Sequence, residues 1–248
     1  MNGEYFNINY EFEISDIWRR IDAAINERES GYICVADGNI LSLVHKNPDY
    51  RDTVKKALFS ICDSSWVPVY LKILYGFKPE QYCGSQIFND ALMQRKYKMM
   101  FMGGSAEVLA ALKENLSDEY PDVSRMLFYE LPFKKVEDFD YHMIAQDVNA
   151  YDPDIVWVAL GAPKQEYFAS FLVPYLKRGV VIPIGAVFNF RAGLGIKRAP
   201  QWMIKCHLEF LYRILSEPEK QLPRCWNIIK SLHSIFKEEK HKSLNKSE

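Results

Sequence analysis

None of the 248 residues belongs to an apolar run long enough to cross a bilayer, which excludes a helical membrane span. There is no Cys-x-x-Cys pair, and the five cysteines, Cys34, Cys62, Cys83, Cys206 and Cys225, have neither zinc-finger spacing nor an even number. That argues against a disulfide framework or a structural zinc, and with no secretory leader read at the start it leads us to expect reduced thiols in a cytosolic protein. The five histidines are scattered without a ligand spacing. A Walker phosphate loop and a G-x-S-x-G nucleophile elbow are both missing, so P-loop NTPase and α/β-hydrolase chemistry are excluded. Charge of one sign is also lacking, since the chain carries a net −1. It is unevenly placed, however: from Lys197 onward eleven Lys/Arg stand against six Asp/Glu, a surplus of five. A basic, aromatic-containing end suits either an anionic partner or a solvated helix face, and nothing points to nucleic acid.

What is present is a hydrophobic content of 48%, enough for a sizeable core. The stretch 154–200 organises the rest. Ile155 to Leu160 is an unbroken apolar run, the pattern of a strand buried on both faces of a parallel sheet. Gly161 ends it, Pro163 suits the start of a helix through Glu166 to Leu176, and Val180 to Ile184 is the next strand. In such β-α-β units ligands sit beyond the carboxyl ends of the strands, where helix N-termini favour anions. Gly161, Lys164, Gln165 and Glu166 are expected there, as are Asn189 and Arg191 after the second strand.

The same alternation runs along the chain. Tyr5 to Ile14 alternates as one strand, and a helix follows with Ile17, Trp18, Ile21, Ala24 and Ile25 on one face. Tyr32 to Ala36 is a strand with Asp37, Gly38 and Asn39 at its carboxyl end, either a crevice or a plain turn. Helices are predicted over Ile40–Lys46 and Tyr50–Leu58. The short strand Phe59–Cys62 then ends in Asp63, which can be a general base, a metal ligand or a cap for the helix Trp66–Tyr75. Further helices are predicted over Ser85–Lys96, Ala106–Leu116 and Glu137–Tyr151, and strands over Lys98–Met102 and Arg125–Leu131. Gly103 and Gly104, between strand and helix, fit either phosphate approach or tight packing. The Asp138-x-Asp140 and Asp152-x-Asp154 pairs resemble cation-binding D-x-D signatures but fall at a helix start and before a strand, so cap and turn roles are expected and no metal site is predicted. The expected architecture is α/β, a mostly parallel sheet with helices on both faces in a Rossmann-like sandwich over residues 1–196. A basic helical C-terminal appendage over 197–248, with an end lacking fixed structure, completes it.

An ordered series of motifs then becomes specific: Gly161-Ala162-Pro163-Lys164-Gln165-Glu166, Gly185-Ala186-Val187-Phe188-Asn189-Phe190 with Ala192-Gly193, Lys197 to Met203, and Leu208 to Leu215 with Glu217-Pro218. With the fainter Asn47-Pro48, Asp63, Met102-Gly103-Gly104 and Pro132-Phe133, the sequence resembles the WecG/TagA/CpsF bacterial glycosyltransferases over nearly its whole length. The resemblance implies inverting, metal-independent transfer of a sugar, N-acetylmannosamine or a related one, from a UDP carrier to a saccharide on a polyprenyl-diphosphate lipid. Its setting would be cell-envelope or capsule polysaccharide assembly. It implies a base at Asp63 and a binding role for Gln165, and it puts Asn189 where the family has an acid. The family's early T-x-N falls on Asp37, or on Asn39 with a two-residue shift. Alternatives are a related transferase using UDP-glucose or UDP-glucuronate, or a non-catalytic nucleotide-sugar-binding or scaffolding protein.

Inverting transfer needs a carboxylate to take the acceptor's proton and donors for the departing UDP. Asp63 can supply the first. Gln165, Arg191, Lys197, Arg198 and the helix start after Gly161 can supply the second without a cofactor. Of the tail helices, Gln201–Ser216 fits packing on the main domain by its apolar face at least as well, whereas Glu219–Lys237 sets aromatics beside Lys and Arg as an interfacial helix does; Arg213 and Arg224 are candidate site arginines by resemblance. The expected partners are therefore the UDP-sugar, the lipid-linked acceptor and an anionic membrane surface, at the cytoplasmic face of the cell membrane. A homo-oligomer is left open.

Overall fold

The computed structural model describes residues 2–194 and 218–245 together with Pro200, Met203, Tyr212, Ile214 and Leu215. Eight strands form one sheet: β1 (Gly3–Tyr5), β2 (Ile8–Tyr10), β3 (Ser30–Ala36), β4 (Phe59–Cys62), β5 (Met99–Met102), β6 (Leu127–Tyr129), β7 (Ile155–Val158) and β8 (Gly179–Pro183). Their order is β1-β2-β4-β3-β8-β7-β5-β6, and every neighbouring pair is parallel except the β1–β2 hairpin. The central strands β3, β4, β5, β7 and β8 are short and, apart from the half-buried Ser30 that opens β3, buried throughout; this is the signature of strands covered on both faces. The fold is α/β, as the alternation of elements requires.

The helices are α1 (Ile14–Asn26), α2 (Gly38–Lys46), α3 (Pro48–Lys55), α4 (Trp66–Tyr75), α5 (Gly84–Gln94), α6 (Ala106–Glu119), α7 (Tyr141–Tyr151), α8 (Lys164–Leu172), α9 (Val187–Ala192) and α10 (Pro218–Asn245). They divide between two apolar clusters, one on each face of the sheet. The first holds Ile40, Leu41 and Val44 of α2, Val67 and Leu71 of α4, Phe168 and Leu172 of α8, and Leu232 and Ile235 of α10. The second holds Ile17 and Ile21 of α1, Phe88 of α5, Leu112 of α6 and Phe188 of α9, with Phe88 edge-on to Trp157 at 5.1 Å. Strands β3 and β8 are neighbours, yet the chain leaves β3 into α2 on one face and β8 into α9 on the other. Diverging connections of this kind open a crevice at the carboxyl end of a parallel sheet.

Three elements differ from the sequence expectation. The alternation over Tyr5–Ile14 is a hairpin rather than one strand, turned by Phe6 and Asn7 in the left-handed region at φ 55° and 61°. Neither residue is a glycine, and the turn is held from far away: Glu239 Oε2 accepts from Phe6 N–H at 2.9 Å and Glu238 Oε1 from the Asn7 amide at 3.0 Å. The residues after β8, to which the sequence pattern assigns no element, form α9, closed by Gly193 at φ 67°. Helix α10 begins at Pro218 and continues to Asn245, beyond the expected Lys237, because Glu239 anchors its later turns to the hairpin and to the Tyr75 hydroxyl at 2.8 Å.

Candidate active site

The carboxyl ends of β3, β4, β5, β7 and β8 converge on a crevice of about 670 Å³. Asp37, Asn39, Asp63, Gly104, Gly161, Lys164, Gln165 and Asn189 all line it, so residues spread over 150 positions of sequence meet in one place. Residues at the starts of four helices also face it: Asn39 and Ile40 of α2, Gly84 and Ser85 of α5, Lys164 and Gln165 of α8, and Val187 of α9. Their dipoles present partial positive charge, and the volume falls in the range of small-molecule pockets.

Asp63 follows β4 directly and is half-buried. Its N–H donates to Ala36 O at 3.1 Å and its carbonyl accepts from Gln81 Nε2 at 2.8 Å, so the backbone on both sides of its side chain is fixed. Asp37 caps α2, its Oδ1 accepting from Asn39 N–H at 2.9 Å and Ile40 N–H at 2.8 Å. Its carboxylate thus serves both as a crevice wall and as the cap, for which Asp is among the best residues.

After β7, Gly161 takes φ 75° and its N–H donates to Gln165 Oε1 at 3.0 Å, while Gln165 N–H closes the turn on Gly161 O at 3.0 Å. Gln165 is nearly buried and passes a second hydrogen bond inward, from Nε2 to Glu166 Oε1 at 2.8 Å. Glu166 is fully buried and its Oε2 accepts from the Tyr50 hydroxyl at 3.0 Å. Burial pushes its carboxyl up to about 7, against the opposing hydrogen bonds from Gln165 and Tyr50 and with help from the Asp37 charge. Burial likewise drives the Tyr50 phenol far above its usual range.

Several expected residues lie elsewhere. Arg191 sits on α9 but turns to α5 and α6, with Nε and Nη2 on Asn89 Oδ1 at 3.2 and 2.5 Å and Nη1 on Glu119 at 3.1 Å; it therefore does not line the crevice. Gly103 does not line it either. A Cβ there would stand 2.8 Å from Ala159 O, so this glycine serves the close approach of the β5 and β7 ends. Lys164 lines the crevice, but its Nζ donates to Lys134 O and lies 5.1 Å from the Phe139 ring centroid. Lys197, Arg198 and Arg213 lie outside the described residues, and for Arg224 only its place on α10 is described. Neither D-x-D pair is in the crevice: Asp140 caps α7 through Met143 N–H at 3.0 Å, and Asp152 and Asp154 both pair with Arg178 at the opposite end of the sheet. Glu166, expected at the crevice beside Gln165 but given no chemical role, does not line it and lies fully buried behind Gln165. Its membership of the motif was visible, but its burial against Tyr50 joins residues 116 positions apart.

The family model described as the glycosyl transferase WecG/TagA/CpsF family matches residues 6–245. A Bacillus subtilis (strain 168) protein described as N-acetylglucosaminyldiphosphoundecaprenol N-acetyl-beta-D-mannosaminyltransferase is 28% identical over 88% of this chain and 87% of its own. Relatives with the same description from Bacillus spizizenii and Staphylococcus aureus (strain MW2) are 27% identical over 87% of this chain and 82% of theirs, and 23% identical over 82% and 76%.

Proposed function

The chain belongs to the WecG/TagA/CpsF family of glycosyl transferases, and from that premise we propose that it transfers an N-acetylmannosamine-type sugar, with inversion, from a UDP carrier to a hydroxyl of a polyprenyl-diphosphate-linked saccharide. One observation carries this reading: Asp63, Gln165 and Asn189 line a single crevice ringed by four helix starts. In the transfer the acceptor oxygen attacks the anomeric carbon from the face opposite UDP. As the new C–O bond forms and the bond to the diphosphate breaks, Asp63 takes the hydroxyl proton. The electron pair leaves on the diphosphate, where the helix starts and the Gln165 amide supply stabilisation that needs no cation. Arg191 is not part of this compensation. Asn189 offers a donor and an acceptor to the nucleoside or sugar.

The direct test is UDP release, screened over UDP-sugars with a short-chain prenyl-diphosphate-linked N-acetylglucosamine as acceptor. Asp63→Asn is expected to lower turnover by about 10²-fold or more while UDP affinity changes little, because proton removal matters in the transition state rather than in donor binding. Near-normal turnover by that variant removes Asp63 from the role. Turnover is also expected to persist in excess EDTA, and abolition by chelation with rescue by Mg²⁺ or Mn²⁺ would overturn the cation-free mechanism.

A further inference from the structure

Gln165 is held by two hydrogen bonds of opposite sense. Gly161 N–H donates to its Oε1 at 3.0 Å, and its Nε2 donates to Glu166 Oε1 at 2.8 Å. A backbone N–H can only donate, so Gly161 requires the carboxamide oxygen on its side and leaves the NH₂ to Glu166, whose Oε1 accepts it whether the carboxyl is ionised or carries its proton on Oε2. Turning the amide over would set N–H against N–H and oxygen against oxygen. In the held orientation each end keeps one unused group, a second N–H and a second lone pair, and Gln165 lines the crevice. Behind it Glu166 is anchored in turn by the Tyr50 hydroxyl at 3.0 Å, itself buried on α3. The other titratable groups felt by Glu166 are Asp37 at the end of β3, Tyr32 and Cys34 on β3, and Tyr50.

We propose that Glu166 is a positioning residue for sugar transfer: anchored by Tyr50, it fixes the Gln165 carboxamide in the one orientation that turns an N–H and a lone pair toward the substrate crevice. The inference rests on the crevice being the transfer site, as set out above. Stability alone gives no reason for a carboxylate here, since a fully buried acid is costly and an apolar side chain would fill the same space more cheaply. Holding a crevice amide within a narrow range of angles does give one, because misorientation of a binding group raises the barrier even when the ligand still binds.

A double-mutant cycle tests this, with UDP-N-acetylmannosamine as donor, a short-chain prenyl-diphosphate-linked N-acetylglucosamine as acceptor, and thermal unfolding followed for every variant. Glu166→Ala is expected to lower kcat by about 10-fold or more with a smaller change in donor KM, because orientation is lost rather than contact area. Glu166→Gln keeps an oxygen for Gln165 and an amide for the Tyr50 hydroxyl, which can turn to accept, and is expected to recover most of that loss. Added to Gln165→Ala, the Glu166→Ala change is expected to cost nothing further. If Glu166→Ala is unfolded at the assay temperature, Tyr50→Phe replaces it in the cycle, with an expected loss of about 3-fold that also disappears in the Gln165→Ala background. Losses that add across the cycle overturn the proposal and leave the transferase reading intact. Normal turnover by Gln165→Ala overturns it together with the place of Gln165 in the site.

Discussion

Carboxylates at strand ends illustrate how much a single residue shows in a sequence and how much depends on its surroundings. Asp37 and Asp63 could be assigned to the crevice from sequence because each directly follows a short apolar run, and both line it. The alternative open for Asp37 was a plain turn, and the structure shows it capping α2 as well as lining the crevice. Glu166 was not legible in the same way: its neighbour Tyr50 comes from a different helix, and no spacing rule joins them. Its environment has a measurable consequence. Folding lifts its carboxyl from an ordinary 4.5 to about 7, so between those values the folded protein retains a proton that the unfolded chain has lost. Stability from this group therefore falls as pH rises and is lowest above 7. Glu166→Gln has no such proton, and relative to the parent it is expected to gain stability from about pH 5 to about pH 8, by on the order of 3 kcal/mol, read from urea midpoints. A difference between the two proteins that stays constant over that range would mean that Glu166 ionises in the fold without penalty.

At the scale of elements, strands were the most legible because burial on both faces leaves an unbroken apolar run, and β4, β5 and β7 lie within one or two residues of the sequence bounds. Helix α9 escaped because six residues between Ala186 and Gly193 carry too little periodicity to distinguish a helix from a loop. The β1–β2 turn escaped because its stabilising partner is α10. Glycines at strand ends were ambiguous for a physical reason: phosphate approach and strand approach both demand a missing side chain. The geometry separates the two readings at Gly103, where φ is 93° and a Cβ would meet a backbone carbonyl at 2.8 Å. Gly103→Ala is therefore expected to destabilise the fold by about 2 kcal/mol or more, from the strained φ together with the displaced β7 end. Circular-dichroism melting checks this, and an unchanged melting temperature would point back to a ligand-facing role.

For the whole molecule, the placement of α10 bears on the proposal that the acceptor is carried on a lipid. The helix has 28 residues and a length of about 42 Å, and its later turns are locked to the body of the protein. Ser231 meets Ser42 at 2.8 Å, Leu232 and Ile235 enter the core, Phe236 packs on Tyr70 at 5.0 Å, and Glu239 holds the hairpin. Ile228 lies over Gly38, beside the crevice residues Asp37 and Asn39, so the earlier turns extend from the crevice mouth. There Leu222, Trp226 and Ile229 are 53, 59 and 59% exposed, with Lys230 5.0 Å from the Trp226 ring centroid. No helix among the described residues is long and apolar enough to cross a membrane. An aromatic and two aliphatic side chains beside a cation, left in water next to the crevice, are instead what a helix lying in a headgroup layer presents. A diphosphate-linked acceptor stays at that same level. Cutting the chain at Glu217 would remove Leu232, Ile235 and Glu239 as well, so a truncation confounds membrane contact with folding; changes confined to the exposed face do not. Trp226→Ser with Ile229→Ser is expected to leave the melting temperature within about 2 °C of the parent, since surface positions contribute little to stability. The same pair is expected to reduce sedimentation with anionic liposomes by about 10-fold, because two apolar side chains lose their transfer into the interface. Turnover on a short-chain, water-soluble acceptor should be retained while turnover on the long-chain acceptor in vesicles falls. Equal liposome binding by the two proteins at low salt would assign the exposed face of α10 no part in reaching the lipid.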